Sequence, residues 1–168
     1  MATAEGTELA RTIRANIEEL QKTCTGLTEE IAPSAPADRW SPKQIISHIS
    51  GPDGIGYMPA IDLILKQDTP RIDIVAEDPF FTERRSRLTI KELLAEAADE
   101  YARIEKLVLT LTIDQLNRKA HIPLFKETEL GEYPTLAAFI SGLCGWHLEF
   151  HINHLKEILQ ALGYTQPG

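Results

Sequence analysis

The chain of 168 residues has little cysteine, no excess of positive charge and no long apolar run. Its two cysteines, Cys24 and Cys144, are far apart, so a metal or redox pair of closely spaced cysteines is excluded. Lysine and arginine number 17 against 25 acidic residues, and the net charge of -8 argues against nucleic acid or an anionic membrane surface as a partner. No segment reaches the roughly 18 apolar residues of a membrane span.

Met1 to Arg14 lacks the charged start and apolar stretch of a signal peptide, and we therefore expect a cytoplasmic protein. In a reducing compartment both cysteines are expected to be buried thiols. A catalytic Cys144, three residues before His147, is the alternative. The one basic cluster, Arg84, Arg85 and Arg87, is interpreted as a solvated stretch of a connection.

The composition that remains is that of an ordinary globular protein, with 43% hydrophobic and 25% charged residues. At this length we expect one domain covering residues 1–168, without internal repeats. The first segment, about Glu5 to Leu27, carries Leu9, Ile13 and Leu20 at helical spacing, which predicts an amphipathic helix.

A second helix is predicted to begin at Ser41, because Pro42 suits the first turn and Gln44 completes a capping box. Pro52 lacks an N–H group and its ring would clash with the carbonyl of His48. We therefore predict a kink or break there, followed by a helical piece from about Asp53 to Lys66 that begins later if Pro59 starts it.

The rest of the chain predicts two more long helices. A long connection, Gln67 to Arg87, precedes a third helix that starts at Thr89 with Glu92 as its capping-box partner. The remaining predictions are a helical turn at Thr112 to Asn117, a short hairpin around Ile122 to Leu124, and a fourth helix capped by Thr135 and closed by Gly163. The fold class is therefore all-α, a four-helix bundle with a long connection between helices two and three.

Three histidines share one face of the fourth helix. His147, His151 and His154 are four and three residues apart, and at about 100° per residue they lie within roughly 60° of one another. They also lie on the seam of Leu136, Ile140, Leu143, Ile158 and Leu162, which should face the core. Buried polar rings need partners, and a divalent metal is one.

His48 is placed to complete such a site, because it lies about two turns after the start of the second helix, in a segment that should face the bundle interior. His48, His147 and His151 are therefore the predicted metal ligands, and the positions left open suit a catalytic site. For His154 four roles are open: a fourth ligand, a hydrogen-bond partner of a ligand, a base for bound water, or a buried polar residue bonded to its own helix or a neighbour. Glu149 lies on another face of the helix, and His121 is interpreted as a loop residue.

The two histidine-bearing segments resemble motifs of the DinB-like superfamily. The stretch Trp40-Ser41-Pro42 through His48 is similar to the opening of the helix that carries that family's first metal histidine. The His147 to His151 pattern is similar to its last-helix H-x-x-x-H motif, which supplies the other two. The resemblance implies an up-down-down-up four-helix bundle, a homodimer, and a nickel or zinc ion held by His48, His147 and His151. Iron and manganese also suit imidazole.

His154 departs from the family pattern, which commonly has glutamine three residues after the last ligand. The resemblance implies a metal-dependent enzyme acting on a small molecule, because parts of the family transfer low-molecular-weight thiols and other members are described as hydrolases. The alternative is a non-catalytic helical module that binds a metal or a partner chain. An open coordination position favours the enzyme, and four protein ligands or a closed apolar interior favours the module.

Overall fold

The computed structural model describes residues 1–164, and every regular element in that range is helical. The helices are α1 (Ala4–Thr23), α2 (Pro42–Ile49), α3 (Met58–Lys66), α4 (Glu83–Ser86), α5 (Ile90–Val108), α6 (Ile113–Leu116), α7 (Leu136–Ile140) and α8 (Leu148–Ala161). A 3₁₀ turn, Pro123–Phe125, precedes α7, and a π-helical segment, Ser141–His147, joins α7 to α8. The all-α class is confirmed. The last four residues of the predicted domain lie outside the described range.

The hairpin predicted around Ile122 to Leu124 is wrong. Pro123 has no N–H group to continue a ladder and instead begins the 3₁₀ turn. Two isolated β-bridges, Arg71 to His121 and Lys119 to Thr135, tie this region to its surroundings. Within residues 1–164 no helix is long and apolar enough to cross a membrane.

The helix starts are where the capping residues predict them. Ser41 and Thr89 each accept a hydrogen bond from the backbone N–H three residues later, and Gln44 and Glu92 close the two capping boxes. Thr135 caps α7 in the same way, with its hydroxyl 3.1 Å from the Ala138 nitrogen. The caps fix where the helices that carry the histidines begin.

The break after α2 is confirmed, but α3 starts at Met58 rather than near Asp53. Gly51, Gly54 and Gly56 all have positive φ, so the chain turns through the intervening residues instead of coiling. Gly56 is also required by space, because a Cβ there would lie 2.6 Å from Cδ of Glu100. The Glu100 carboxylate in turn accepts the first N–H groups of α3, from Tyr57 at 2.6 Å and Met58 at 3.2 Å.

The first helix is shorter than predicted and the last is not a uniform α-helix. α1 ends at Thr23, and Gly26 takes a positive φ of 77° beyond it. In the last helix, buried residues recur every fourth position, at Leu136, Ile140, Cys144, Leu148 and Ile152. That spacing is wider than the 3.6 residues of an α-turn, and the π-helical segment accommodates it. Leu143, predicted on the seam, is therefore only half-buried and Cys144 takes its place.

Four helical segments surround the core. α1 packs against α5 and against α8 with its π-helical extension, and α2 packs against the same two neighbours from the opposite side. Completely buried side chains from all four fill the centre, among them Ile13, Ile45, Ile49, Leu93, Ile104 and Leu155. This is the predicted four-helix bundle, in which facing helices place ligands in the core. The up-down-down-up order stays a prediction.

Only Arg85 departs from the solvated basic stretch that we predicted in the long connection, since Arg84 and Arg87 are exposed. Arg85 is only 3% exposed, and its Nη1 donates to the carbonyls of Ser47 at 3.0 Å and Gly51 at 2.6 Å. Those carbonyls belong to the last turn of α2 and to the second residue beyond it, where a helix leaves acceptors without intrahelical partners. Arg84, although half-exposed, pairs with Asp53 and Glu96. The connection is thereby fixed to the end of α2.

Candidate metal centre

His48 lies in the last turn of α2 and is 5% exposed. Its Nδ1 is 2.6 Å from the backbone carbonyl oxygen of Asp78, in the long connection. A carbonyl only accepts, so Nδ1 carries the proton and Nε2 keeps a free lone pair. Metal-binding histidines are commonly oriented by such a bond from the other ring nitrogen.

His147, the last residue of the π-helical segment, faces His48 across the bundle. The two Nε2 atoms are 3.0 Å apart. Because Nε2 of His48 has no proton, a hydrogen bond between the rings requires the proton to be on His147 Nε2. Nδ1 of His147 is buried and has no hydrogen-bond partner in the described part of the chain. A buried polar atom without a partner reduces stability. Such an atom in His147 indicates that the ring has a role other than packing.

His151 completes the cluster from α8. It is 8% exposed, and its ring centre lies 4.4 Å from that of His48 and 4.6 Å from that of His147. One nitrogen from each of the three rings lies within 4.8 Å of the others. Two nitrogens bound to one zinc ion at about 2.1 Å lie at most about 4 Å apart, so the three nitrogens are spread slightly more widely than one coordination sphere.

The three rings are held neutral, as metal ligands must be. Burial and, to a smaller extent, the neighbouring His48 lower the pKa of His147 to about 4. Burial lowers the pKa of His151 to about 3, with smaller contributions from the neighbouring histidines. Burial also lowers the pKa of His48. Neutral imidazoles offer lone pairs near pH 7, and this donor set fits a divalent metal of the zinc or nickel type.

His154 stands beside this group and not within it. Its Nδ1 lies 3.5 Å from Nδ1 of His151, at the limit of a hydrogen bond, and its ring is half-buried. A proton donated from His151 Nδ1 to His154 Nδ1 would leave the lone pair of His151 on Nε2. The structure therefore places His154 next to a predicted ligand, and burial lowers its pKa.

Aromatic rings border the three histidines, and sequence reasoning missed most of them. Trp40 lies 5.0 Å from the ring centre of His48 and stacks on His151 at 6.2 Å. Phe80 stacks on His48 at 6.0 Å with an interplanar angle of 4°, and Phe150 meets His151 edge-on at 5.1 Å. The sequence identified Trp40 only as the residue before a helix cap. For Phe150, the available signal was an aromatic residue directly before the predicted ligand His151.

The segment that supports His48 is held in an unusual backbone conformation. Glu77 and Phe80, on either side of Asp78, have φ values of 57° and 50°. Such values are rare for residues other than glycine and occur where the surroundings impose them, often at functional sites. The Phe80 carbonyl accepts from the Ser47 hydroxyl at 3.0 Å, which holds the segment against α2.

The remaining candidates lie outside the cluster. Cys144 is buried, and burial raises the pKa of its thiol, so the structure argues against a thiolate nucleophile there. Cys24 is also a buried free thiol, with its pKa raised by burial to about 12. Glu149, predicted to lie on another face of the helix, is exposed. His121 contacts Glu132, with Nε2 2.8 Å from Oε1, in the irregular region before α7.

A comparison with solved structures identifies the fold. YfiT from Bacillus subtilis, described as a probable metal-dependent hydrolase with an unusual four-helix bundle topology, superposes with a TM-score of 0.78. The match covers 98% of this chain and 92% of YfiT, at 21% sequence identity. No family model and no curated protein matches the sequence. The likeness shows the four-helix bundle fold that the DinB-like resemblance implies.

Proposed function

We propose that this protein is a divalent-metal-dependent enzyme whose ion is held by His48, His147 and His151. The observation that carries the proposal is the convergence of three imidazoles from α2 and the last helix, two of them buried and His147 partly buried, with nitrogens within 4.8 Å of one another. Three protein ligands leave positions open, which is how catalytic sites differ from structural ones. Nickel or zinc is the proposed ion, and iron or manganese is compatible with the same ligands.

A divalent ion with open positions lowers the pKa of bound water to about 7, or stabilises a bound thiolate. The residues of the chain prepare that site. The Asp78 carbonyl holds the proton of His48 on Nδ1. His154 Nδ1, 3.5 Å from His151 Nδ1, is placed to accept a hydrogen bond from that nitrogen when it carries the proton. We propose His154 as a positioning residue on that geometry. A general base for a bound water is its second candidate role, which requires a free lone pair facing the substrate.

Two reaction types fit such a centre, and different observations favour them. Hydrolysis is favoured by the likeness to YfiT, which is described as a probable metal-dependent hydrolase. Thiol transfer onto an electrophile is favoured because the two acidic residues beside the histidines do not offer them a carboxylate base. Asp78 contacts His48 through its backbone carbonyl, and Glu149 is exposed. A thiolate needs no carboxylate base, because the ion itself lowers its pKa.

The first test is elemental analysis of the purified protein, with matched histidine variants. We expect about one divalent ion per chain in the wild type and in His121→Ala, which removes a histidine outside the cluster. His147→Ala is expected to lose the ion and remain folded. Stoichiometric metal in His147→Ala would overturn the ligand assignment.

The second test separates the reaction types. The metal-loaded protein is screened with activated esters and amides, and separately with low-molecular-weight thiols plus an electrophile. Turnover that disappears in both His147→Ala and the metal-free wild type supports the enzyme. Stoichiometric metal without turnover of either class favours the non-catalytic module. A homodimer in the cytoplasm belongs to the same proposal, and light scattering coupled to size-exclusion chromatography measures its mass.

A further inference from the structure

Two exposed aromatic rings continue the wall of the candidate metal centre out to solvent. Trp146 is 70% exposed and stacks on Phe150, with ring centres 5.5 Å apart and an interplanar angle of 20°. Phe150 is itself 52% exposed, and its ring contacts His151 at 5.1 Å and His154 at 6.5 Å. The pair therefore begins at a predicted ligand and ends at the surface.

The other side of His151 is bordered by Trp40. The Trp40 ring stacks on His151 with an interplanar angle of 14°, and its centre is 6.2 Å from that of His154. His151 thus contacts both a stacked indole and the edge-on ring of Phe150. Both tryptophans of the chain are at this site. Contiguous apolar rings on a surface commonly mark the place where a ligand or partner is bound.

The helical segments that carry the histidines offer no spare positive charge. Lys43 is the one cationic residue of α2, and it pairs with Glu29 at 3.1 Å. Lys156 is the one cationic residue of α8, and it pairs with Glu19 at 2.7 Å. Arg39, whose charge acts on His154, pairs with Glu157 at 3.1 Å. An anionic group lying on the aromatic rings would therefore find no unpaired partner on these segments.

We propose that the site takes an uncharged small molecule with a metal-binding head and an aromatic group that stacks on Phe150 and Trp146, and that it disfavours a carboxylate on that group. This inference rests on the proposed metal site, and it adds the class of ligand that the site selects. Stacking on aromatic rings stabilises an aromatic group by more than the area it buries.

The test uses three hydroxamates as probes of the zinc-loaded protein. Acetohydroxamate supplies the head alone, benzohydroxamate adds a ring, and 4-carboxybenzohydroxamate adds a charge to that ring. Binding is followed by quenching of the two tryptophans and by calorimetry, and the zinc content of each sample is measured. We expect benzohydroxamate to bind about tenfold more tightly than acetohydroxamate. The carboxylated probe is expected to bind more weakly than benzohydroxamate.

Phe150→Ala is the decisive variant, and Tyr133→Ala is its control. Both remove a ring that is 52% exposed, but Tyr133 stacks on His121, away from the cluster. In Phe150→Ala, the affinity ratio of benzohydroxamate to acetohydroxamate is expected to lose most of its tenfold preference. In Tyr133→Ala the ratio is expected to stay unchanged. Comparing ratios between proteins cancels the intrinsic difference between the two hydroxamate heads.

The possible outcomes separate this inference from the function on which it rests. A zinc-free wild type contradicts the metal site itself. Zinc at one equivalent, with equal affinities for the two uncharged probes, leaves the metal site intact and overturns the aromatic ligand class. An unchanged affinity ratio in Phe150→Ala also overturns the aromatic ligand class. If this variant also has a lower molecular mass than the wild type, the rings belong to a contact between chains.

Discussion

Two pairs of neighbouring helices, α1 with α5 and α2 with the last helix, differ in how their buried polar groups are used. α1 and α5 run for 20 and 19 residues without interruption. The buried polar groups of α5 are fully used, since Glu100 caps α3 and the Tyr101 hydroxyl donates to the Ile49 carbonyl at 2.7 Å. On the other side, α2 stops after eight residues and the last helix contains a π-helical segment. There the nitrogens of His48 and His147 face each other, and Nδ1 of His147 has no partner within residues 1–164.

The difference separates the half of the bundle that stabilises the fold from the half that carries the candidate chemistry. Regular helices with satisfied polar groups bury apolar surface efficiently. Interrupted helices place side chains that regular geometry would not bring together, and they do so at some expense in stability. Changes in the first pair should therefore affect stability more than metal binding, and changes in the second pair should do the reverse.

The largest effect expected is from Ile104→Ala in α5. Ile104 is completely buried, and the cavity left by an alanine costs about 2–5 kcal/mol of the free energy of unfolding. Urea denaturation of the metal-free protein measures this loss, and elemental analysis should still find the wild-type amount of metal. Loss of the metal at unchanged stability would contradict the division between the two halves.

A pair of matched cap variants sharpens the comparison. Ser41→Ala and Thr89→Ala each remove a capping hydroxyl that lies 3.2 Å from the backbone nitrogen three residues later. Each should cost about 1 kcal/mol of stability. Because α2 positions His48, only Ser41→Ala should also weaken zinc affinity, measured by competition with a chelator. Equal zinc affinities in the two variants would contradict the role given to α2.

The smallest effect expected is a pH dependence from Asp53, in the break after α2. The Arg84 guanidinium holds the pKa of this carboxyl at about 2, below its usual 3.8. Because the folded-state pKa is depressed, the stabilisation is present above about pH 4 and is lost as the pH falls toward 2. Arg84 is half-exposed, so the effect should be less than about 1 kcal/mol.

The measurement is the difference in unfolding free energy between the wild type and Asp53→Asn at pH 6 and at pH 2.5. We expect a larger difference at pH 6. The control is Asp62→Asn, which removes a pair with Lys66 on an exposed helix face. If Asp62→Asn showed the same pH-dependent change in unfolding free energy, the effect could not be assigned to Asp53.

Local sequence signals were sufficient where one residue decides the structure. Ser41, Thr89 and Thr135 each begin a helix because a side chain caps the backbone, and Pro52 ends α2 because it has no N–H group. Four-residue spacing was sufficient to expect His147 and His151 on one face. His48 could be added to the predicted site because the capping residues located the start of its helix. The three rings do lie together.

What the sequence did not reveal depends on contacts between distant segments. Arg85 is buried because the end of α2 presents free carbonyls, which no local pattern around Arg85 indicates. The Asp78 carbonyl reaches His48 across 30 residues. The π-helical segment had a local signal, the recurrence of buried residues at every fourth position from Leu136. Assigning Leu143 to a regular α-helical seam concealed it.

X-ray absorption spectroscopy of the metal-loaded protein tests the central claim most directly, because it counts the imidazoles bound to the ion. With zinc, three histidine nitrogens are expected at about 2.0–2.1 Å, together with oxygen from water at the open positions. The His121→Ala spectrum should be the same. A zinc spectrum without histidine scattering, or with sulfur from Cys24 or Cys144, would contradict the account.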